Sequence, residues 1–392
     1  MTNLLKMHIR KLLYLLQLEG YETERYFAWL KKNAIEKLEE RKNKLRLTWR
    51  IILTALVSFV FLPFLGEKKG VGISNILLDY LFNFLEEIIV FLAKIKLKFF
   101  PSLIKIVITG SYGKTTFKEL LSFVLESKYS VLKTPENINT RIGIALLILK
   151  KLSFCHQVMV VEAAAYQPGD IKKICQLVQP SFGIITIFGL MHLERFKTIT
   201  SIRKTKLEII PFIKNKENLF LPKRFHQFIN FEKTVFIIAK NLGIPSSVIQ
   251  KRLRDFKNPS HRLQEKKIHP QIIILDDTYN SNPLGFKKAL EKLSSYRDYQ
   301  KIVVTPGMIE FGKKQYSLNY KLANLASKIV DIFIIVGETN KEALLNGAKK
   351  EKRGNLKIIL CKKDEAWEKI ASSLLRPPTV ILLENELPDH YF

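Results

Sequence analysis

A chain of 392 residues, 47% of them hydrophobic, is long enough for two to three domains with sizeable cores. Its formal charge of +28 at pH 7 calls for an anionic partner, yet the 64 lysines and arginines are spread along the chain and form no single basic tract with interleaved aromatics. That argues against nucleic acid and leaves acidic lipid or an anionic substrate. Cys155, Cys175 and Cys361 are too few and too far apart for a disulfide framework or a thiolate metal site, as suits a reducing compartment.

The first hundred residues differ in character from the rest. Residues 1–48 read as a cytoplasmic helical lead, with Tyr21–Arg50 as a charged helix running up to a membrane. Ile51–Gly66 is a run of sixteen uncharged residues flanked by Trp49 and Arg50, slightly short of a straight span. Val71–Ala93 is a second apolar stretch whose polar residues Asn75, Asp79, Asn83, Glu86 and Glu87 fall on one helical face. Residues 1–50 carry 12 Lys/Arg against 6 Glu, which places them on the cytoplasmic side. The nucleotide chemistry read below belongs on that side too, so residues 49–100 are expected to enter the membrane and return, with the tip near Pro63–Gly72. A half-inserted pair meets the same constraint; a buried core helix is the bland alternative.

From residue 101 the pattern becomes alternating α/β. The β-branched run Ile104–Thr109 ends at Gly110, and Gly110-Ser111-Tyr112-Gly113-Lys114-Thr115-Thr116 leads into an amphipathic segment that runs to Leu125. A strand, a glycine loop and a helix N-terminus turn backbone N–H groups toward one point, which suits phosphate. Lys114 is placed to reach terminal phosphates and the Thr115 hydroxyl to hold Mg²⁺, so the loop predicts ATP or a similar nucleotide. The glycine that the general phosphate-loop pattern wants five residues before Gly113 is Ile108 here. Val158–Glu162 and Phe182–Ile187 read as further strands, and Glu162 ends its strand where open α/β sheets place ligands. A carboxylate there can hold Mg²⁺, or simply face solvent. Strands at Ile272–Leu275, Ile302–Thr305, Ile332–Val336, Leu356–Leu360 and Val380–Leu383 with helices between them predict a second, Rossmann-like domain.

The variant Thr109-Gly110-Ser111-Tyr112-Gly113-Lys114-Thr115-Thr116 resembles that of the Mur ligases, the ATP-dependent enzymes that build the peptide of bacterial cell walls. Thr134-Pro135-Glu136-Asn137, Glu162 with Pro168-Gly169-Asp170-Ile171, His192-Leu193-Glu194, Ser260-His261-Arg262-Leu263, Asp276 to Pro283, Thr305 to Gly312 and Leu383 to Asp389 are similar to the family's later motifs, in order. Order and spacing resemble the branch that adds D-alanyl-D-alanine to a UDP-linked muramoyl tripeptide. The resemblance covers residues 101–392. It implies a middle ATP-binding domain at 101–258 and a C-terminal domain at 259–392.

The resemblance also implies roles. His192 would lie near a second Mg²⁺, and Lys206 would carry a carbamate able to bind Mg²⁺, which requires a neutral amine and hence a lowered pKa. For each, an ordinary loop histidine or solvated lysine is the alternative. Arg262, Asp277 and Asn280 would approach ATP from the third domain. The implied reaction is amide ligation through an acyl phosphate, with ATP and Mg²⁺ as cofactors. Its partners would be a muramoyl-peptide or lipid-linked wall precursor and an amino acid or dipeptide, at a membrane and without nucleic acid. Two departures matter. The family's N-terminal sugar-nucleotide domain is not recognisable in residues 1–100, and the stretch from Lys206 to Leu242 is several dozen residues short, with Phe231 where an adenine-contacting asparagine is expected. A catalytically degenerate membrane scaffold is therefore the second hypothesis, and an unrelated phosphate-loop NTPase the third.

Overall fold

The computed structural model describes residues 3–388 apart from 41–43, 136–137, 192, 225–226, 258, 260, 280, 351–354, 363–364, 366–367 and 369–375. The chain divides into two compact units, one comprising residues up to Ile88 and the other Ile89–Glu386.

The first unit is helical. Helix α1 (Asn3–Leu18) and helix α2 (Thr23–Lys32) precede α3 (Trp49–Lys98), a 50-residue element broken at Gly66, where φ is 72° and ψ 170°. Only glycine adopts that conformation without strain, and Pro63 weakens the turn before it. The two arms meet closely: Arg50 hydrogen-bonds Asn75 at 2.9 Å and pairs with Asp79, and its guanidinium lies 4.2 Å from the Tyr21 ring. By length and composition α3 can cross a membrane. The expected single charged helix over Tyr21–Arg50 is not found. Helix α2 ends at Lys32, Asn33 is extended, and the chain doubles back so that Arg10 pairs with Glu40 and the Arg46 N–H reaches Gln17. The reason is burial. Ile35 and Leu38 reach apolar surroundings only by turning back onto Leu12, Leu16 and Tyr26, in a core that also takes Ile51 and Val71.

The second unit holds two sheets. The first runs β1 (Ile104–Thr109), α4 (Lys114–Leu125), β2 (Val131–Lys133), α5 (Arg141–Lys151), β3 (Val158–Glu162), α6 (Asp170–Val178), β4 (Phe182–Ile185), α7 (Leu193–Phe196), α8 (Ile199–Leu207), β5 (Leu219–Phe220), α9 (Phe231–Asn241) and α10 (Ser246–Asp255). Its strand order is β2-β3-β1-β4-β5, all parallel. Strand β1 is central and buried, as its unbroken β-branched run requires. The short stretch after Lys206 still adds the two-residue strand β5.

The second sheet comprises β6 (Gln264–His269), β7 (Ile272–Asp277), α11 (Pro283–Ser294), β8 (Gln300–Thr305), α12 (Gln315–Ser327), β9 (Ile332–Val336), α13 (Lys341–Lys350), β10 (Lys357–Cys361) and β11 (Thr379–Glu384). Its order is β10-β9-β8-β11-β7-β6, parallel except for the antiparallel edge strand β6. The last strand, β11, inserts between β7 and β8 and sets Glu384 beside Asp277.

Candidate active site

The glycine loop sits at the C-terminal end of β1, between the ends of β3 and β4. Gly110 (φ 141°) has no room for a side chain, since a Cβ there would stand 2.0 Å from the Thr186 hydroxyl. The loop is pinned to the segment after β4. The Ser111 N–H donates to the Ile187 carbonyl (2.9 Å), the Ser111 hydroxyl to that of Gly189 (2.8 Å), and the Thr186 hydroxyl to that of Tyr112 (2.6 Å). Gly113 (φ 75°) then caps α4, which begins at Lys114 and carries Thr115 and Thr116 in its first turn.

The side chains converge. Lys114 folds back over the loop and donates to the Gly110 carbonyl at 3.0 Å. Burial holds its pKa below the ordinary lysine range; the charge of Arg262 adds to this and that of Glu162 opposes it. The Thr115 hydroxyl donates to Glu162 Oε2 at 2.9 Å, across the gap between α4 and β3. The Glu162 N–H in turn donates to the Thr134 hydroxyl at 2.9 Å, so the Thr134-Pro135 motif fixes the acid. Glu162 is buried rather than facing solvent.

Arg262 arrives from the second sheet's domain, its Nη2 3.4 Å from the Thr115 hydroxyl and its guanidinium 4.1 Å from the Tyr279 ring centre. Both neighbours have left-handed backbone, His261 at φ 57° and Leu263 at φ 52°. This strain is held by His261 Nδ1 against Asp276 (2.8 Å) and the Leu263 N–H on Asp277 Oδ1 (2.9 Å), which aims Arg262 at the loop. Asp277 is thus an anchor of this segment, with its pKa raised by burial.

Lys206, on the last turn of α8, is 4% exposed, which rules out a solvated lysine. Burial first and the charge of Lys114 second push its pKa down to about 7, against the opposing charges of Asp170 and Glu208. Those two acids hold the Pro168-Gly169-Asp170 motif. Asp170 accepts from the Tyr166 and Gln167 N–H groups, and Glu208 from those of Gly169 and Lys172. His192 and Asn280 lie outside the described residues, as do Glu136, Asn137, Ser260 and Asp389.

Two functional features escaped the sequence reading. Lys118 is fully buried, with its ammonium 3.6 Å from Glu162 Oε2 and 3.2 Å from Glu119 Oε1. It lies one helical turn beyond Lys114, on the same stripe as Leu121 and Leu125, and that position was the available signal. The second feature is Glu384. It accepts from the Ser281 hydroxyl and lies beside Asp277, and burial plus that neighbouring acid push its pKa well above the carboxylate range. Around the loop, Phe228 and Phe231 close one flank: a Cβ on Gly113 would stand 3.0 and 2.8 Å from their rings. Asn230, next to the position of the expected adenine contact, spends its side chain capping α9 on the Lys233 N–H.

The oxygens present suit a hard cation. Among the described residues no group of three His, Cys, Asp or Glu side chains gathers as for a metal ion. A hydroxyl and a carboxylate 2.9 Å apart are what magnesium takes from protein when phosphate supplies the rest.

Comparison with known proteins places this geometry. Residues 108–255 match the Mur ligase middle domain and residues 261–384 the Mur ligase glutamate ligase domain, together well over half of the chain. The chain belongs to the Mur ligase family. A curated relative, the UDP-N-acetylmuramoyl-tripeptide–D-alanyl-D-alanine ligase of Buchnera aphidicola, is 25% identical over 295 residues, covering 60% of this chain and 64% of that relative's length. The MurF ligase of Thermotoga maritima, solved in complex with ADP, aligns with a TM-score of 0.65 at 25% identity over 77% of this chain and 80% of its own. MurF from Acinetobacter baumannii shares the fold, with a TM-score of 0.65 at 22% identity over 76% of this chain and 77% of that one. In this Mur ligase Arg262 reaches from the second matched domain to Thr115 at the glycine loop of the first.

Proposed function

We propose that this Mur ligase is an ATP-dependent amide ligase of cell-wall precursor synthesis, joining an amino acid or dipeptide, with D-alanyl-D-alanine favoured, to a muramoyl peptide. The observation that carries this reading is the convergence of Lys114, Thr115, Glu162 and Arg262 on one loop, with a depressed-pKa lysine, Lys206, close enough to feel the charge of Lys114. In the reaction a substrate carboxylate oxygen attacks the γ-phosphorus of ATP and ADP leaves, giving an acyl phosphate. The incoming amine then attacks the acyl carbon, phosphate departs, and the amine loses a proton. Such phosphoryl transfer needs positioning and charge neutralisation more than covalent help. Lys114 and the loop N–H groups hold the phosphates, and Arg262 brings the second domain's charge to them. Thr115 and Glu162 would hold Mg²⁺, which supplies further charge neutralisation there. Near neutral pH a good fraction of Lys206 is free amine able to take up CO₂, and the resulting carbamate would turn a buried cation into an anion.

The reading extends to location: the arms of α3 up to Ile88 anchor the enzyme in a membrane with its catalytic domains on the cytoplasmic side. The exposed apolar residues of α3 support this, among them Leu56, Phe59, Val60, Phe64, Leu77 and Phe84. A lipid-linked wall precursor then suits the chain as the carboxylate substrate. The scaffold reading has one specific observation in its favour, the Phe228 and Phe231 flank with Asn230 committed to a helix cap. The test is phosphate release by detergent-solubilised protein with Mg²⁺ and bicarbonate, with and without muramoyl peptides, lipid-linked precursors and D-alanyl-D-alanine, against Lys114→Ala. Release that needs both a carboxylate and an amine and vanishes in the variant supports the ligase. Folded protein that fails to bind ATP supports the scaffold.

A further inference from the structure

The turn between α5 and β3 carries a feature that catalysis does not use. Phe154 is 83% exposed at the tip of the segment Ser153-Phe154-Cys155-His156. A single exposed ring is ordinary, but here it neighbours further exposed apolar residues, and a patch is informative. The turn is not loose. The Ser153 N–H donates to His156 Nδ1 at 3.2 Å, the Ser153 hydroxyl lies 3.0 Å from the same nitrogen, and the Phe154 ring stacks on Phe100 with centroids 4.8 Å apart. Phe100 follows α3 by two residues, and the buried face of that helix's last turns (Val90, Ala93, Leu97) packs into the domain core. The opposite face presents Phe91 and Ile95, and Phe99 follows just past the helix end, at 62%, 37% and 66% exposure. Lys96 ties this helix to α5 through the Leu149 carbonyl at 2.9 Å. Around these apolar groups stand the exposed Lys98, Lys150 and Lys151.

We propose that this patch, with Phe154 as its tip, docks the ATP-binding domain on an anionic lipid surface, separately from the spanning arms of α3. Aromatic rings settle at the level of lipid headgroups, and lysines beside them meet acidic lipid, each adding roughly fivefold to the docked-to-undocked ratio. Charge selects the occupant, because a neutral apolar partner gives Lys98, Lys150 and Lys151 no counterpart. The proposal rests on the membrane reading above. It adds that the catalytic unit itself touches the bilayer, which would keep its substrate class to precursors presented at that surface.

Cys155 is exposed, whereas Cys175 is buried and Cys361 partly buried, so a bimane probe can be placed beside Phe154 in the full chain, with Cys155→Ser as the labelling control. The labelled protein is reconstituted into vesicles of phosphatidylglycerol and phosphatidylethanolamine, and flotation is scored apart from probe quenching. The expected result is flotation, with the probe quenched by headgroup-level nitroxide lipid and protected from aqueous iodide. Phe154→Ser removes that quenching without changing flotation, Phe154→Trp keeps it, and Lys150→Gln with Lys151→Gln weakens it. Flotation with the probe fully open to iodide overturns the docking proposal and leaves the anchor standing. Failure to float overturns the anchor and this proposal with it. Concentration-dependent protection in detergent without vesicles identifies a self-association face and also overturns it.

Discussion

Two buried glutamates end strands in the two sheets of the second unit, and their surroundings differ in charge. Glu162 ends β3 beside the central strand, and Glu384 ends β11 between β7 and β8. Glu162 faces the Lys118 ammonium and the Thr115 hydroxyl. Glu384 faces another acid, Asp277, and burial first, then that neighbour, push its pKa up. The strand end supplies a position, and the groups around it decide what that position can bind. One site can therefore serve a cation and phosphate, while the other locks the segment that carries Arg262.

The sharpest way to break the contrast is to remove the cation. Lys118→Met keeps volume but strands Glu162 beside the loop, and is expected to cost about 3–5 kcal/mol of stability. The double variant with Glu162→Gln should recover most of that in chemical denaturation; additive losses would mean the pair is not coupled. Mg²⁺ affinity, read with Mn²⁺ as a spin probe, should fall in Lys118→Met if the lysine positions the acid. Next in size, Glu162→Gln alone should lower phosphate release about 10²–10³-fold while leaving the fold intact by circular dichroism. A near-wild-type rate would take Glu162 out of the active site.

Lys206 comes third. Its pKa near 7 makes the free amine plentiful only as pH rises through that value. Activity should therefore depend on bicarbonate and climb across pH 7, and Lys206→Arg, which stays protonated, should lose about 10–100-fold. A rate indifferent to bicarbonate would remove the carbamate. Stability carries the same sign. The unfolded chain binds this proton more tightly, so the penalty for folding a charged Lys206 is full below pH 7 and relieved between about 7 and 10.

Much of this was legible in the sequence where chemistry is local. The run into Gly110, the start of α4 at Lys114 and the strand ending at Glu162 fall where β-branched patterning and glycine place them. What stayed hidden depends on contacts between distant segments. Lys118 looks like a surface lysine until the stripe it shares with Leu121 and Leu125 is seen to face β3. The edge strand Gln264–His269 is too polar to read as sheet, because one side of it faces water. The turn-back after Lys32 follows from a core built by α1, which no local signal announces. Glu384 meets Asp277 only because the last strand of the chain inserts in mid-sheet.

That insertion yields the smallest predicted effect, and it closes the contrast. If Glu384 is neutral in the folded protein, Glu384→Gln replaces one neutral hydrogen-bonding group with another. It should change activity less than about twofold and stability by only about 0.5 kcal/mol near the wild type's most stable pH. The variant should nevertheless alter pH dependence. In the unfolded chain the acid titrates near 4.5, whereas in the fold it keeps its proton to much higher pH. Between those values the folded state binds the extra proton, so this residue's contribution to stability is full below about 4.5 and falls as pH rises. Glutamine has no such slope. Melting temperatures of wild type and variant should therefore be closest in mild acid and diverge in the variant's favour toward pH 8. A variant less stable at every pH, by a constant amount, would mean that the fold does not raise the Glu384 pKa at all.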